Sequence, residues 1–231
     1  MKEAKKIDEL PRYLDREILS QEIVSPEMLS FRSEVNRIRH LYSSAMQVAS
    51  TQLNILDAEF SSVYDHSPIH HLECRVKKLD SIIEKLLRKG YEVTPDNFHR
   101  IRDIAGIRVI CNYVDDIYYL RNLLIGNSGF QLLRERDYIQ QPKENGYRSL
   151  HLILNVPFMI AEGRMALPVE IQLRTIAMDM WASLEHELRY KSNRDFSTQE
   201  SRQLLECAQT LSDLDQKMQV LFRGKEDSSE E

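Results

Sequence analysis

Apolar positions in the first third of the chain recur at steps of three and four. Phe31, Val35, Ile38, Tyr42, Ala45, Ala49, Leu53, Leu56 and Phe60 form one stripe of the kind an amphipathic helix buries, which predicts a long helix from near Pro26. A shorter helix is expected over about Ile7 to Ser20. The segment Tyr64 to Pro68 ends the pattern with turn chemistry, because proline disfavours helix at the residue before it. The central domain is taken to begin there.

Periods then mix. Leu72, Cys74 and Val76 alternate with Glu73, Arg75 and Lys77, the period of a half-buried strand that shows Arg75 and Lys77 on one face. Ile82, Ile83, Leu86 and Leu87 predict a short helix stopped by Lys89-Gly90. Ile104 to Cys111 is β-branched and apolar, a central strand with Asp103 at its entrance. A helix over about Tyr113 to Ile125 follows, and the turn formers of Gln140 to Gly146 make a loop. Beyond it two alternating segments place Ser149 with His151, and Glu170 with Gln172 and Arg174, on shared strand faces. Ile176, Met180, Trp181, Leu184 and Leu188 stripe a helix reaching about Lys191, and Leu204 to Leu221 stripe a last one. The pattern divides the chain into N-terminal helices (1–66), a central domain (67–195), a C-terminal helix (196–222) and a frayed acidic tail (223–231). The class is α/β or α+β, a sheet flanked by helices.

Composition narrows the partners. Of 231 residues 42% are hydrophobic and 29% charged, enough for a core and too balanced for a repeat or disordered chain. No apolar run approaches the roughly 18 residues of a membrane span, and no apolar stretch follows the charged N-terminus, so a cytoplasmic protein without membrane contact is expected. Three widely spaced cysteines, Cys74, Cys111 and Cys207, fit neither a disulfide framework nor zinc spacing, and read as buried thiols. Net charge is -5, but residues 70–195 carry 19 basic against 17 acidic side chains. That balance suits a small polyanion such as a nucleotide and disfavours duplex DNA.

Charged residues on sheet faces need partners, because an unpaired ion in low dielectric costs several kcal/mol. Arg75 or Arg174 could pair with Asp103 or Glu170. Alternatively the carboxylates could hold Mg²⁺ while the bases hold phosphate. The segment Pro142 to His151 gathers Lys143 for phosphate, Asn145 for a polar edge, Tyr147 for stacking and His151 for phosphate or ribose. Taken singly, Asn145-Gly146 would be a hairpin turn and Tyr147 a core aromatic. His70-His71 has no metal-ligand spacing to another His or Cys, and no P-loop motif is present.

Taken in order, Arg75-Val-Lys77 with Ser81 and Lys85, Arg102-Asp-Ile-Ala-Gly-Ile-Arg-Val109, Arg136-Asp-Tyr-Ile139 with Pro142 to His151, and Val169 to Thr175 resemble the synthetase domain of RelA/SpoT-type alarmone synthetases. The flanking helices resemble those of the small single-domain members of the RelQ (YjbM-like) group. The resemblance implies a nucleotidyltransferase-like mixed sheet and transfer of pyrophosphate from ATP to the 3′-hydroxyl of GDP or GTP, giving (p)ppGpp and AMP in the stringent response. It implies Mg²⁺ on Asp103 and Glu170, with Glu170 activating the hydroxyl. Arg75, Lys77, Ser81 and Lys85 would bind ATP; Arg136, Lys143, Asn145, Tyr147 and His151 would bind GDP or GTP. Arg108, Gln172, Arg174 and His186 match supporting positions. Homotetramers, activation by the alarmone product and inhibition by single-stranded RNA also follow from the resemblance. The stripe from Phe31 to Phe60 could serve such an assembly or pack on the chain's own core. Two rival activities are a toxic small synthetase that pyrophosphorylates the 3′ end of tRNA and a non-catalytic nucleotide- or RNA-binding regulator.

Overall fold

A computed structural model describes residues 26–126, 128–192 and 196–229. The expected helix over Ile7 to Ser20 lies outside them. The elements in chain order are α1 (Pro26–Val63), β1 (Ile69–Val76), α2 (Leu79–Arg88), a 3-10 turn (Pro95–Arg100), β2 (Ala105–Cys111), α3 (Val114–Gly126), β3 (Gln131–Asp137), β4 (Leu150–Ile160), β5 (Gly163–Thr175), α4 (Ile176–Ser192) and α5 (Thr198–Ser229). The five strands form one mixed sheet in the order β1-β2-β5-β4-β3, with β2 and β5 parallel and the other pairs antiparallel.

One sheet face is apolar. Ile107, Val109, Leu152, Leu154, Val169, Ile171 and Leu173 are buried there with Val35, Tyr42, Ala45, Ala49, Leu53 and Phe60 of α1 and Ile117, Leu120 and Leu124 of α3. Each aliphatic side chain buried in full contributes about 1.5–3 kcal/mol, and this layer is what holds the sheet. The α1 stripe is therefore spent on the chain's own core. Outside that stripe α1 exposes Met28, Leu29, Ile55 and Val63, and further exposed apolar surface lies on α4 and α5, at Ile176, Met180, Leu184, Leu188, Leu214, Met218 and Leu221. On α4 it is Met178 and Trp181 that turn inward.

Two further expectations are corrected. The C-terminal helix does not stop at Phe222 but continues through Ser229, so residues 223–229 are helical and not a frayed tail. Of the cysteines only Cys111 is buried; Cys74 and Cys207 are exposed. Cys74 sits on β1, an edge strand flanked on one side only, so strand alternation there does not guarantee a buried face.

Candidate active site

Strand register assembles the polar face into rows. Arg75 pairs with Gly106, Gly106 with Glu170, Glu170 with Ile153 and Ile153 with Arg134. The neighbouring row is Glu73, Arg108, Gln172, His151 and Arg136. Partners in register share a face, so residues from five separate sequence segments stand side by side. Above them opens a cleft of about 380 Å³. Its two carboxylates, Asp103 and Glu170, face the cations Lys85, Lys89, Arg100, Arg102, Arg134, Arg136 and Lys143. Such a cationic excess in a concave site focuses a positive field suited to a polyphosphate.

Asp103 lies where the chain enters β2. Its Oδ2 accepts hydrogen bonds from Lys77 Nζ at 2.8 Å and Lys85 Nζ at 2.5 Å, while its Oδ1 is buried with no hydrogen-bond partner. Burial pushes this carboxyl up, but the hydrogen bonds and charges of the two lysines outweigh it and leave it below the ordinary carboxylate range. Ser81 is half-buried on α2, one helical turn before Lys85.

Glu170 is held from two sides. His151 Nδ1 lies 3.2 Å from its Oε1, and Gln172 Nε2 donates to its Oε2 at 2.9 Å. Burial again pushes the carboxyl up and the His151 and Gln172 contacts bring it below its usual range, against the repulsion of Asp103. The two carboxylates thus feel each other across the cleft. With the open acceptor on Asp103 they fit a hard divalent cation whose remaining ligands are phosphate and water oxygens, although no cluster of three or more His, Cys, Asp or Glu capable of holding a metal by itself occurs among the described residues.

Lys143, His151 and Arg174 converge on Tyr147. Its hydroxyl meets His151 Nε2 at 2.8 Å and accepts from Arg174 Nη2 at 2.6 Å. Lys143 Nζ lies 4.4 Å and the Arg174 guanidinium carbon 5.1 Å from the ring centroid, cation–π distances. Asn145 does not present a free edge: its Oδ1 accepts from the Tyr147 backbone N–H at 3.2 Å and closes the turn. Arg174 is buried and committed to Asp179, Gln172, Tyr147 and Ser149, which makes it the brace beneath the site. Arg108 bonds Glu73 at 2.8 Å and lies 3.4 Å from Asp179. Arg75 is exposed at the end of its row, and Arg136 donates to the Tyr138 hydroxyl at 2.9 Å. His186, exposed on α4, is outside the cleft lining.

Several cleft residues carry no site role in the sequence reading: Lys89, Arg100, Arg102, Arg134 and Tyr138. Arg134 had a signal, since it stands two residues before Arg136 on one strand and so shares its face. Arg100 and Lys89 had none, because one ends the 3-10 turn and the other caps α2, and packing decides which way each faces.

Residues 74–195 match the family model described as a region found in RelA and SpoT proteins. The chain is 43% identical over 179 residues to GTP pyrophosphokinase YwaC of Bacillus subtilis, covering 77% of this chain and 85% of that protein. It is 35% identical over 184 residues to GTP pyrophosphokinase YjbM of the same organism, covering 80% and 86%. The crystal structure of small alarmone synthetase 2 from Bacillus subtilis superposes with a TM-score of 0.76 at 39% identity, covering 83% of this chain and 99% of that one. Small alarmone synthetase 1 bound to its product pppGpp gives the same TM-score at 35% identity, covering 84% and 98%. By sequence, by fold and by the extent of both matches, this chain belongs to the RelA/SpoT family and is similar to its small alarmone synthetases.

Proposed function

We infer that the protein is a GTP/GDP pyrophosphokinase that makes (p)ppGpp and AMP from ATP and GDP or GTP. The observation that carries the reading is the pair of half-buried carboxylates, Asp103 and Glu170, set in a cleft lined by cations, in a chain related over most of its length to named GTP pyrophosphokinases.

In this reading the 3′-hydroxyl oxygen of GDP or GTP bonds to the β-phosphorus of ATP. The α–β bridging bond breaks and AMP departs with the bridging oxygen. Catalysis of this kind rests on in-line positioning and charge neutralisation. Glu170, ionised at neutral pH, takes the hydroxyl proton, and His151 holds its carboxylate in place. Lys77 and Lys85, now on Asp103, turn to the ATP phosphates, with Ser81 beside them. Arg75 stacks on adenine from the end of its row, and Gly106 leaves the floor between Arg75 and Glu170 free of side chain. Tyr147 stacks on guanine, with Lys143, Arg136 and His151 on the acceptor's phosphates and ribose and Asn145 fixing the turn. Gln172, Arg174 and Arg108 brace these groups. Mg²⁺, held by Asp103 and Glu170, would supply neutralisation of polyphosphate charge.

The reading extends to a cytoplasmic homotetramer, with alarmone as activator and single-stranded RNA as inhibitor. The exposed Ile176, Met180, Leu184 and Leu188, at successive i,i+4 positions on α4, support assembly. Light scattering during size-exclusion chromatography tests it.

The decisive experiment supplies β,γ-labelled ATP, Mg²⁺ and either GDP, GTP or deacylated tRNA, with Glu170→Gln in parallel. Labelled ppGpp or pppGpp with equimolar AMP, absent from the variant, is expected. Label on tRNA alone would replace this reading by the tRNA-modifying one; no labelled product with any acceptor would point to a binding protein.

A further inference from the structure

The family match ends at residue 195, and α5 begins at Thr198. Helix α5 nonetheless forms the back wall of the loop that carries Tyr147. Gly146, at φ +89°, packs so closely on it that a Cβ there would stand 2.6 Å from Ala208 Cβ and 3.2 Å from Leu205 Cδ1. On the other side of Tyr147, Arg148 Nη1 donates to Ser212 Oγ at 2.5 Å, and its Nη2 donates to Gln209 Oε1 at 3.4 Å. Positions 205, 208, 209 and 212 fall on one face of a helix. Tyr147 is thus displayed by a segment whose two neighbours are both seated on that face.

The helix itself is tied to the domain. The Trp181 indole N–H donates to the Leu204 carbonyl at 2.9 Å, Thr175 Oγ1 donates to Asp215 Oδ2 at 2.6 Å, and Gln219 Oε1 accepts from the Asp115 backbone N–H at 3.0 Å. Thr175 ends β5, the strand that carries Glu170 and Arg174. The loop's support is therefore anchored to the same strand as the reacting centre. Nothing on this face of α5 lines the cleft where Asp103 and Lys85 lie.

We propose that the α5 face bearing Ala208 and Ser212 is a positioning element for the guanine nucleotide: it sets where the Tyr147 ring stands and so governs affinity for the acceptor, not for ATP. This rests on the reading of Tyr147 as the guanine platform. Ala208 is a positioning residue in this scheme, since it acts through Gly146 and does not line the cleft. A side chain larger than methyl at 208 displaces the loop, because the contact with Gly146 has no slack.

The test measures dissociation constants for GDP and for a non-hydrolysable ATP analogue by isothermal titration calorimetry, with thermal melting recorded for each variant. Ala208→Leu is expected to weaken GDP binding about tenfold or more, and Ser212→Ala about threefold, while ATP-analogue affinity stays within about twofold. If Ala208→Leu fails to fold, Ser212→Ala, which deletes only a hydroxyl, decides the matter. Equal loss for both ligands, or unchanged GDP affinity in a folded variant, overturns the proposal. Tyr147→Ala, run alongside, separates the two layers. Unchanged GDP binding in that variant overturns the platform reading and this proposal with it. Weakened binding in Tyr147→Ala but not in the α5 variants overturns the role of α5 alone.

Discussion

His151 Nδ1 lies 3.2 Å from Glu170 Oε1, and the opposite ring nitrogen meets the Tyr147 hydroxyl at 2.8 Å. One imidazole therefore joins the carboxylate that would accept the proton to the ring that would carry the guanine. The cause is register: His151 stands opposite Gln172 on β5, one position along that face from Glu170.

Removing this ring should change both rate and pH dependence. His151→Ala takes away the hydrogen bond and charge that do most to hold the Glu170 carboxyl down, leaving only Gln172 to oppose the upward push of burial. The expected result is a fall in kcat of about a hundredfold and an acid limb of the pH–rate profile displaced to higher pH. A profile superposable on the wild type would refute this account of Glu170.

The proposed stacking surface of Tyr147 and its hydroxyl links can be separated by substitution. Tyr147→Ala removes the stacking surface, and base stacking is worth about 1–3 kcal/mol, so KM for GDP or GTP should rise about tenfold with KM for ATP unchanged. Tyr147→Phe keeps the surface and loses only the links to His151 and Arg174. It should lower kcat with little change in acceptor KM. Steady-state kinetics with each substrate varied in turn distinguishes the two.

Gly106 sits between Arg75 and Glu170 in their row. A Cβ there would lie 3.7 Å from the Glu170 carbonyl oxygen and 3.9 Å from that of Arg75, ordinary van der Waals contacts, so Gly106→Ala should melt at or above the wild-type temperature. Its methyl would rise into the strip between the two side chains, and KM for ATP should increase about tenfold. An unchanged KM would mean the nucleotide does not cross this floor.

Asp103 predicts how stability responds to acid. Its folded-state carboxyl is held below the value of 3.8 that it has when free. A depressed pKa stabilises the fold above the unfolded value, and that contribution disappears as pH falls through the folded one. Asp103→Asn removes it at all pH values, and leaves Lys77 and Lys85 without their shared partner. The melting temperature of the variant should therefore lie below wild type near neutrality, with the gap closing below about pH 4. A gap independent of pH would contradict the pairing.

Much of the site was legible from period alone. Two-residue alternation put Glu170, Gln172 and Arg174 on one face, and the turn formers around Asn145 put Tyr147 on a loop entering a strand. The order of motifs identified the family. The readings that failed depended on what lay opposite. Cys74 alternates correctly with Arg75, yet is exposed because β1 is an edge. The stripe on α4 has helical spacing, yet Ile176, Met180, Leu184 and Leu188 face solvent. By sequence Arg174 could pair with Asp103 or Glu170, yet its partners are Asp179, Gln172, Tyr147 and Ser149.

The sequence by itself determined the elements, the alternation of their faces and the residue types carried by each motif, because these depend on side chains a few positions apart. Tertiary structure alone decided which strand lies beside which. It brought Arg75, Gly106, Glu170, Ile153 and Arg134 into one row from positions up to 95 residues apart, and set α5 behind the Tyr147 loop. Those neighbours are chosen by the burial of the opposite, apolar face, a property of the whole sheet and its helices that no local period encodes.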